Sequence, residues 1–250
     1  MSLEERLKYA AMKARHKNIF RPWYQKWWGI LILIILGLIL IILVASGIYV
    51  VNKIKQIRAV NSQTSLEQQR QNYINTINGD GTNFTLGTNK PQVTIVEFGD
   101  FACPFCQESA TGTRKLLADY KDKVKLIFRD YPLHDNSIDL ASAARCAGEQ
   151  GKFWEIYDEF YANQDKFTAV SGDALTAQLM SLAAFLKLNT SQFSDCLTSK
   201  KYIDQIRKDY EDGENLQISG TPTWFINNYA LTGYVPAAKF QELVTGLMKK

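Results

Sequence analysis

The sequence predicts an α/β domain in which a block of helices interrupts a small sheet, preceded by one membrane-spanning helix. Three observations predict this arrangement. A β-rich run, Val93–Phe98, is followed by a tight turn and a helix-like segment that begins at Pro104. A second β-rich run, Val124–Arg129, is followed by a long stretch of helical periodicity. Near the N-terminus, 22 successive residues carry no charge, Ile30–Val51.

The charge of the chain is unevenly divided along its length. The 250 residues carry a net charge of +4. Residues 1–81 hold 11 Lys and Arg against 4 Asp and Glu, a net of +7, whereas residues 82–250 hold 18 against 21, a net of −3. Because the basic excess is confined to the N-terminal part, it gives no support to nucleic-acid binding by the C-terminal domain.

Residues 1–29 form a basic arm that ends in four aromatic residues, a pattern typical of a cytoplasmic flank and an interfacial aromatic belt. The apolar run at 30–51 would be about 33 Å long as a helix and matches a hydrocarbon core of roughly 30 Å. Fewer Lys and Arg follow this run than precede it, so we expect a single pass with the N-terminus in the cytoplasm and the domain outside. A cleaved signal peptide ending near Ala45–Gly47 is the alternative. The run is longer than an ordinary signal core, which favours an uncleaved signal-anchor in the cell membrane.

The remaining chain divides into a linker and one domain. Residues 52–81 are rich in Asn, Gln, Ser and Thr, and we expect a linker with at most a short helix that ends in a flexible turn. The domain is predicted at 82–250, with an inserted helical block at about 135–197. Two further short strands are predicted to form a hairpin with a turn at Asn227-Asn228, followed by a closing amphipathic helix.

Cys103-Pro104-Phe105-Cys106 lies where the first strand gives way to a helix N-terminus. Unpaired backbone N–H groups and the helix dipole favour a thiolate at such a position, and the thiolate is the reactive form of cysteine. We expect Cys103 to be the exposed, attacking thiol, with a pKa between about 3.5 and 7.5, and Cys106 to be the shielded thiol that resolves mixed disulfides. A zinc site is the alternative. It is disfavoured because the sequence has no second CxxC, so we expect no metal and no cofactor.

Two further cysteines, Cys146 and Cys196, lie on separate predicted helices. All four cysteines lie beyond the apolar run, which fits an oxidising exterior. Four cysteines allow three pairings. A CxxC pair closes naturally on itself, which leaves Cys146 and Cys196 for a structural disulfide, and two buried free thiols are the alternative.

Other polar residues are candidates for supporting roles. Glu97 lies inside an apolar strand, where burial would raise its pKa and make it a proton acceptor for Cys106; the alternative is a carboxylate that points outward. Asp100 is expected to be a turn or cap residue, with a role in tuning the site as the alternative, and His134, after a proline turn, a surface residue. Pro222 heads a strand, and its local sequence favours an ordinary trans bond.

Four segments and one glycine along residues 82–250 match motifs of a known family: Val93–Cys106, Phe128–Leu133, Gly151–Trp154, Gly220–Thr223 and Gly233. They resemble those of the DsbA-like thiol-disulfide oxidoreductases of the thioredoxin superfamily, in their membrane-tethered form. The resemblance implies a thioredoxin fold with an inserted helical domain, a redox-active pair at Cys103 and Cys106, and a cis bond before Pro222 that leaves the Thr221 backbone free to bind a peptide.

The same resemblance implies an extracytoplasmic enzyme that introduces disulfides into cysteine-containing secreted or surface proteins, reoxidised by a quinone-linked membrane partner. The DsbA proteins of Gram-negative bacteria have a histidine where this chain has Phe105. We therefore expect a pKa for Cys103 in the upper part of its range and a milder oxidant. A reductase or isomerase, and a peptide-binding module with an inert disulfide, are the alternatives.

Overall fold

A computed structural model describes residues 2–19, 22–227 and 229–248. Residues 1–68 and 69–250 form two compact units. Arg21 of the predicted basic arm and Asn228 of the predicted turn lie outside the described residues.

The first unit is helical. Helix α1 spans Leu3–Ile19 and a 3-10 turn spans Trp23–Gln25, after which helix α2 runs over Trp27–Asn78, 52 residues in all. Within the described part of the chain, α2 alone is long and apolar enough to cross a membrane. The uncharged run at 30–51 lies inside it, which makes α2 a candidate membrane-spanning helix.

The structure differs from the sequence expectation after residue 51, where a continuous helix replaces the predicted short helix in a flexible linker. No proline or glycine interrupts residues 52–78, and the hydroxyls of Ser62, Thr64 and Thr76 donate to carbonyl groups within the preceding helical turn. These hydroxyls therefore do not compete with the helical backbone. The helix ends at Asn78 because Gly79 has a φ of 76°.

The C-terminal unit is built on a five-stranded sheet with the order β1-β3-β2-β4-β5. Strands β2 and β3 are parallel, and the other three pairings are antiparallel. The central strand β2 is buried on both faces, which explains why its sequence is apolar almost throughout. The strands are β1 Thr85–Gly87, β2 Val93–Gly99, β3 Val124–Asp130, β4 Thr223–Ile226 and β5 Tyr229–Thr232.

Helices cover both faces of this sheet, and six of them lie between β3 and β4. They begin at Ser137, close to the predicted start of the insertion, and they extend beyond residue 197 through α9. The helices are α3 Pro104–Asp119, α4 Ser137–Gly148, α5 Phe153–Ala162, α6 Gln164–Thr168, α7 Gly172–Phe185, α8 Thr190–Thr198, α9 Ile203–Asn215 and α10 Ala237–Met248.

The hydrophobic core of the C-terminal unit has three parts. One lies between the sheet and helices α3 and α10 and includes Ile95 and Phe240. A second contains Phe98, Tyr131 and Ile77, so the last turn of α2 packs into the domain. The third and largest joins the turn after β2 to the inserted helices. The CxxC motif thus lies between the sheet and the insertion.

A buried ion network ties β3 to helices α4 and α9. Arg129 binds Asp209 at 2.6 Å and Asp212 at 2.5 Å, while Arg145 binds Asp130 and Asp209 at 2.5 Å each. The Arg129 guanidinium also donates to the carbonyl oxygens of the last turn of α2. Buried charges require such pairing, and the network fixes the end of α2 on the domain.

Candidate redox site

The CxxC motif lies at the start of α3, as the sequence predicts. Cys103 has an extended backbone with φ −82° and ψ 123° and caps the helix, and Pro104 occupies the first helical turn. The carbonyl oxygen of Cys103 accepts the N–H groups of Cys106 and Gln107 at 3.1 and 3.2 Å. The Cys103 side chain therefore lies at the positive end of the helix dipole.

The two motif cysteines are free thiols in this structure, and both are buried. Cys106 is 0% exposed and Cys103 only 3% exposed, so the expectation of an exposed Cys103 is wrong. A residue distant in the sequence lies against Cys103. The Cys103 Sγ donates to the carbonyl oxygen of Thr221 at 3.3 Å.

The environment separates the acidities of the two thiols. The pKa of Cys103 is lowered to about 5, because the Cys106 thiol, Thr221 and the N–H groups of Phe105 and Cys106 hydrogen-bond its thiolate and together outweigh the cost of burial. Burial first, then the neighbouring Cys103 and Glu97, raise the pKa of Cys106 well above its ordinary value. Because Phe105 stands where a histidine would add positive charge, the sequence predicted a pKa for Cys103 in the upper part of the range from about 3.5 to 7.5. The pKa of about 5 is lower than that. The hydrogen-bond donors around Cys103 stabilise its thiolate without a histidine in the motif.

The segment before β4 completes the site. The peptide bond between Thr221 and Pro222 is cis, and Thr221 is buried beside the motif. The Thr221 hydroxyl bonds to no other group among the described residues, which leaves it available to the Cys103 thiolate. Local sequence favoured a trans bond, and the resemblance implied the cis geometry that the structure has.

Glu97 is fully buried in β2, below the motif. Its Oε2 accepts a hydrogen bond from the Tyr157 hydroxyl at 3.1 Å, whereas Oε1 has no partner in the described part of the chain. Burial raises the pKa of Glu97 to about 8, against the lowering effect of the Tyr157 bond. Of the two interpretations of the sequence, the buried carboxyl group is therefore the one observed, and its raised pKa favours the protonated form at neutral pH.

Asp100 organises the turn between β2 and α3. Its Oδ1 accepts the N–H of Ala102 at 2.8 Å, which makes it a turn residue as expected. Its Oδ2 accepts the N–H groups of Leu133 and His134 and lies 2.7 Å from the His134 Nδ1. His134 is 44% exposed at its side chain, so it is a surface residue with a buried partner.

Gln164, from the inserted block, holds the same turn from the other side. Its amide nitrogen donates to the carbonyl oxygens of Phe101 at 2.9 Å and Cys103 at 3.0 Å. The side chain is buried, so these bonds are shielded from water. The insertion thus contributes directly to the geometry of the motif.

Cys146 on α4 and Cys196 on α8 form a disulfide with a Cα–Cα distance of 5.9 Å. The bond links two helices of the insertion and lies in the same core part as Cys103 and Cys106. It joins positions 50 residues apart, which suits a structural bond.

Sequence reasoning did not find Tyr157, Gln164 or the Asp100–His134 pair. None of them carries a local signal, because an aromatic residue on a helix or a glutamine in a short helix is usually structural. Only their distance to the motif in three dimensions identifies them.

The fold and the CxxC motif together define a thioredoxin-fold protein. The sequence profile of the family described as Thioredoxin matches residues 79–245, which is more than half of the chain. The chain therefore belongs to the thioredoxin family.

Two relatives illustrate the sequence similarity. The chain is 34% identical over 155 residues to the probable disulfide bond formation protein D of Bacillus anthracis, covering 58% of this chain and 70% of that protein. It is also 34% identical over 144 residues to the Na(+)/H(+) antiporter NhaA 1 of Salinispora arenicola, covering 56% of this chain. The chain spans only 21% of the length of that antiporter.

Solved structures share the fold. BdbD from Bacillus subtilis in its oxidised form superimposes with a TM-score of 0.61 at 22% identity, covering 69% of this chain and 96% of BdbD. The thiol-disulfide exchange protein alpha-DsbA2 from Wolbachia pipientis superimposes with a TM-score of 0.62 at 19% identity, covering 75% and 98% of the two chains.

Proposed function

We propose that the chain is an extracytoplasmic oxidase that introduces disulfides into cysteine-containing secreted or surface proteins. In the oxidised enzyme, Cys103 and Cys106 form a disulfide. A client thiolate attacks the Cys103 sulfur, the bond to Cys106 breaks, and Cys106 leaves with the electron pair. A second client thiolate then attacks the client sulfur of the mixed disulfide. The client is oxidised by two electrons, and Cys103 leaves as a thiolate.

The observation that carries this proposal is the position of Cys103 at the start of α3 beside Thr221, with Cys106 fully buried one turn later. This geometry lowers the pKa of Cys103 and raises that of Cys106. A stabilised thiolate on Cys103 favours the reduced enzyme, and a stabilised reduced form is what makes a dithiol pair oxidising. It also makes Cys103 the better leaving group in the second step. The difference between the two pKa values thus supports both the oxidising direction of the reaction and the roles given to Cys103 and Cys106.

Glu97 is proposed to exchange the proton of Cys106. At neutral pH its raised pKa keeps it protonated, so it can give a proton to Cys106 when that sulfur leaves. In the reverse step it accepts the proton again. Tyr157 holds the carboxyl group through its hydroxyl and is proposed as a positioning residue.

Thr221 and Pro222 are proposed to bind the client. In the unliganded site the Thr221 carbonyl accepts the Cys103 thiol. Once Cys103 is a thiolate or is bonded to a client sulfur, it has no proton to donate. The carbonyl is then free to pair with a backbone N–H of an extended client peptide.

The cellular setting is also a proposal. The candidate membrane helix supports a single-pass anchor in the lipid bilayer, and the excess of basic residues before it supports a cytoplasmic N-terminus. The domain organisation proposed is an arm at 1–29, a span at 30–51, a linking segment at 52–81 and the redox domain at 82–250. An oxidase must be reoxidised, and a quinone-linked membrane protein is the proposed partner.

Trapping experiments test the roles of the cysteines. Cys106→Ser keeps a hydroxyl donor near Cys103. Its Cys103 thiolate can attack a client disulfide and release one client thiolate, but no second cysteine is present to resolve the mixed disulfide. The variant should therefore accumulate mixed disulfides with client proteins on non-reducing gels. Cys106→Ala should trap as well, although its Cys103 thiolate loses a hydrogen-bond donor. The matched control, Cys103→Ser, should trap few or none. Equal trapping by Cys103→Ser would contradict the assignment.

The reduction potential tests the direction. Thioredoxin, whose attacking cysteine has a pKa of about 7, has a potential of about −270 mV. Lowering that pKa to about 5 stabilises the reduced pair about 50-fold at pH 7, or about 50 mV at about 30 mV per tenfold change. We therefore expect about −220 mV. A value at or below about −270 mV favours a reductase, and one below about −300 mV an inert disulfide in a binding module.

A further inference from the structure

His134 and Asp100 form a pair that the disulfide chemistry described above does not use. The His134 Nδ1 lies 2.7 Å from Asp100 Oδ2, and the backbone N–H of His134 donates to the same oxygen at 3.2 Å. Asp100 in turn accepts the N–H of Cys103 at its own carbonyl oxygen, at 3.1 Å. One residue therefore holds both the imidazole and the backbone of the reactive cysteine.

The position of the imidazole is fixed from several directions. The N–H of Leu133 also donates to Asp100 Oδ2, at 2.8 Å, and the N–H of His134 also points toward the Ser137 hydroxyl at the start of α4. The Asp100 side chain is fully buried, whereas the imidazole is partly exposed. The ring can therefore exchange its proton with solvent while its place beside the motif is kept.

The charges around the pair explain why protonation matters. A buried Asp100 carboxylate without its partner would place a negative charge under the turn that carries Cys103, which disfavours a thiolate. The groups that act on His134 are Asp100 in the turn, Asp135 next in the chain and Cys103 at the start of α3. Burial lowers the pKa of His134, but these groups outweigh burial and raise it. The neighbours that hold Cys103 from other elements, Thr221 and Gln164, are uncharged.

We propose that His134 is a positioning residue for the redox centre, whose imidazolium, held by Asp100, stabilises the Cys103 thiolate and so makes the oxidising strength of the pair depend on the protonation of His134. The inference rests on the proposed function, because it takes Cys103 as the reactive thiol. It assigns a role to a residue outside the CxxC motif, and it gives the motif a cation that Phe105 does not supply.

The linkage has a definite sign. Reduction places a negative charge on Cys103, which favours the protonated imidazole, so the pKa of His134 is higher in the dithiol enzyme than in the disulfide enzyme. Below that pKa the imidazolium stabilises the reduced form. As the pH rises through it, the stabilisation is lost. The potential of the wild type should therefore fall more steeply with pH in this window than that of a variant without the imidazole.

His134→Asn is the test variant, because its amide nitrogen can replace Nδ1 as the donor to Asp100 but is never charged. In the full chain in detergent micelles, the thiolate absorbance should give a pKa for Cys103 raised by about 0.5 to 1, the effect of one charge at a partly exposed site. The glutathione equilibrium at pH 6 should shift about 3- to 5-fold toward the oxidised enzyme, or about 15 to 20 mV. The difference between wild type and variant should close at high pH.

Three comparisons make the result specific. His16→Asn, which alters the other histidine of the sequence, should behave as wild type. His134→Lys restores a positive charge and should lower the pKa of Cys103 again without the pH-dependent change. Imidazole NMR signals, assigned with the two Asn variants, should give a higher pKa for His134 in the reduced than in the oxidised protein.

The outcomes separate this inference from the proposed function. If the pKa of Cys103 is equally low in wild type and His134→Asn, His134 has only a structural role and the inference is wrong. The same holds if the difference in reduction potential between the two proteins is the same at every pH. If Cys103 of the wild type ionises like an ordinary thiol, the proposed function itself fails. Should His134→Asn not fold, equal His134 pKa values in the oxidised and reduced wild type would still overturn the inference.

Discussion

Replacing Glu97 by Gln removes a buried acid whose pKa is raised from an ordinary 4.5 to about 8. Glu97 has no exposed surface, and one of its oxygens has no hydrogen-bond partner among the described residues. Each pKa unit corresponds to about 1.4 kcal/mol. Through Glu97 alone, the free energy of unfolding of the reduced protein should therefore be up to about 5 kcal/mol lower at pH 8 and above than at low pH.

The sign and the pH window follow from the direction of this shift. Because the pKa of Glu97 is higher in the folded than in the unfolded state, the folded state holds the proton more tightly. The folding stability that this contributes is fully present below about pH 4.5. That stability is lost as the pH rises toward about 8. Glu97→Gln does not titrate. Its stability relative to wild type should therefore increase steadily across this interval, on top of a constant cost for the buried amide.

Urea unfolding of the reduced full chain in detergent, followed by near-ultraviolet circular dichroism at a series of pH values, measures this difference. Cys103 also titrates in the interval and acts in the opposite direction, but it is present in both proteins and cancels to first order. Glu155→Gln, which alters a partly exposed carboxylate paired with Lys152, is the matched control and should show no such gain. A difference between Glu97→Gln and wild type that does not change between pH 5 and 8 would refute a raised pKa for Glu97.

Two further predictions concern the insertion and the anchor. Cys146 and Cys196 close a loop of 50 residues, so Cys146→Ala/Cys196→Ala should lose roughly 4 kcal/mol in denaturant unfolding, with each single replacement at least as damaging; an unchanged midpoint contradicts a structural bond. The basic excess before residues 30–51 predicts that protease added to intact cells releases the redox domain, while a tag at the N-terminus stays protected; full protection of the domain contradicts the orientation.

Local patterns in the sequence predicted most of the helices and strands and the position of the CxxC motif. Alternating and helical apolar patterns predicted β2, β3, the hairpin and the inserted helices close to their observed bounds, because each pattern reflects which side of its own element is buried. Cys103 at a strand-to-helix boundary also followed from local residues alone, since Pro104 is suited to a first helical turn. The continuous course of α2 to Asn78 was missed, because polar residues in a row are typical of both linkers and exposed helices.

The acidity of the groups in the site depends on contacts between residues that are far apart in the sequence. Thr221 lies 118 positions from Cys103, Tyr157 lies 60 from Glu97, and His134 lies 34 from Asp100. A pKa depends on desolvation and on the donors and charges within a few ångströms, and the sequence does not state which distant residues supply them. The motif therefore identified the candidate reactive atoms, whereas the acidity of each depends on how the insertion and the segment before β4 pack around them.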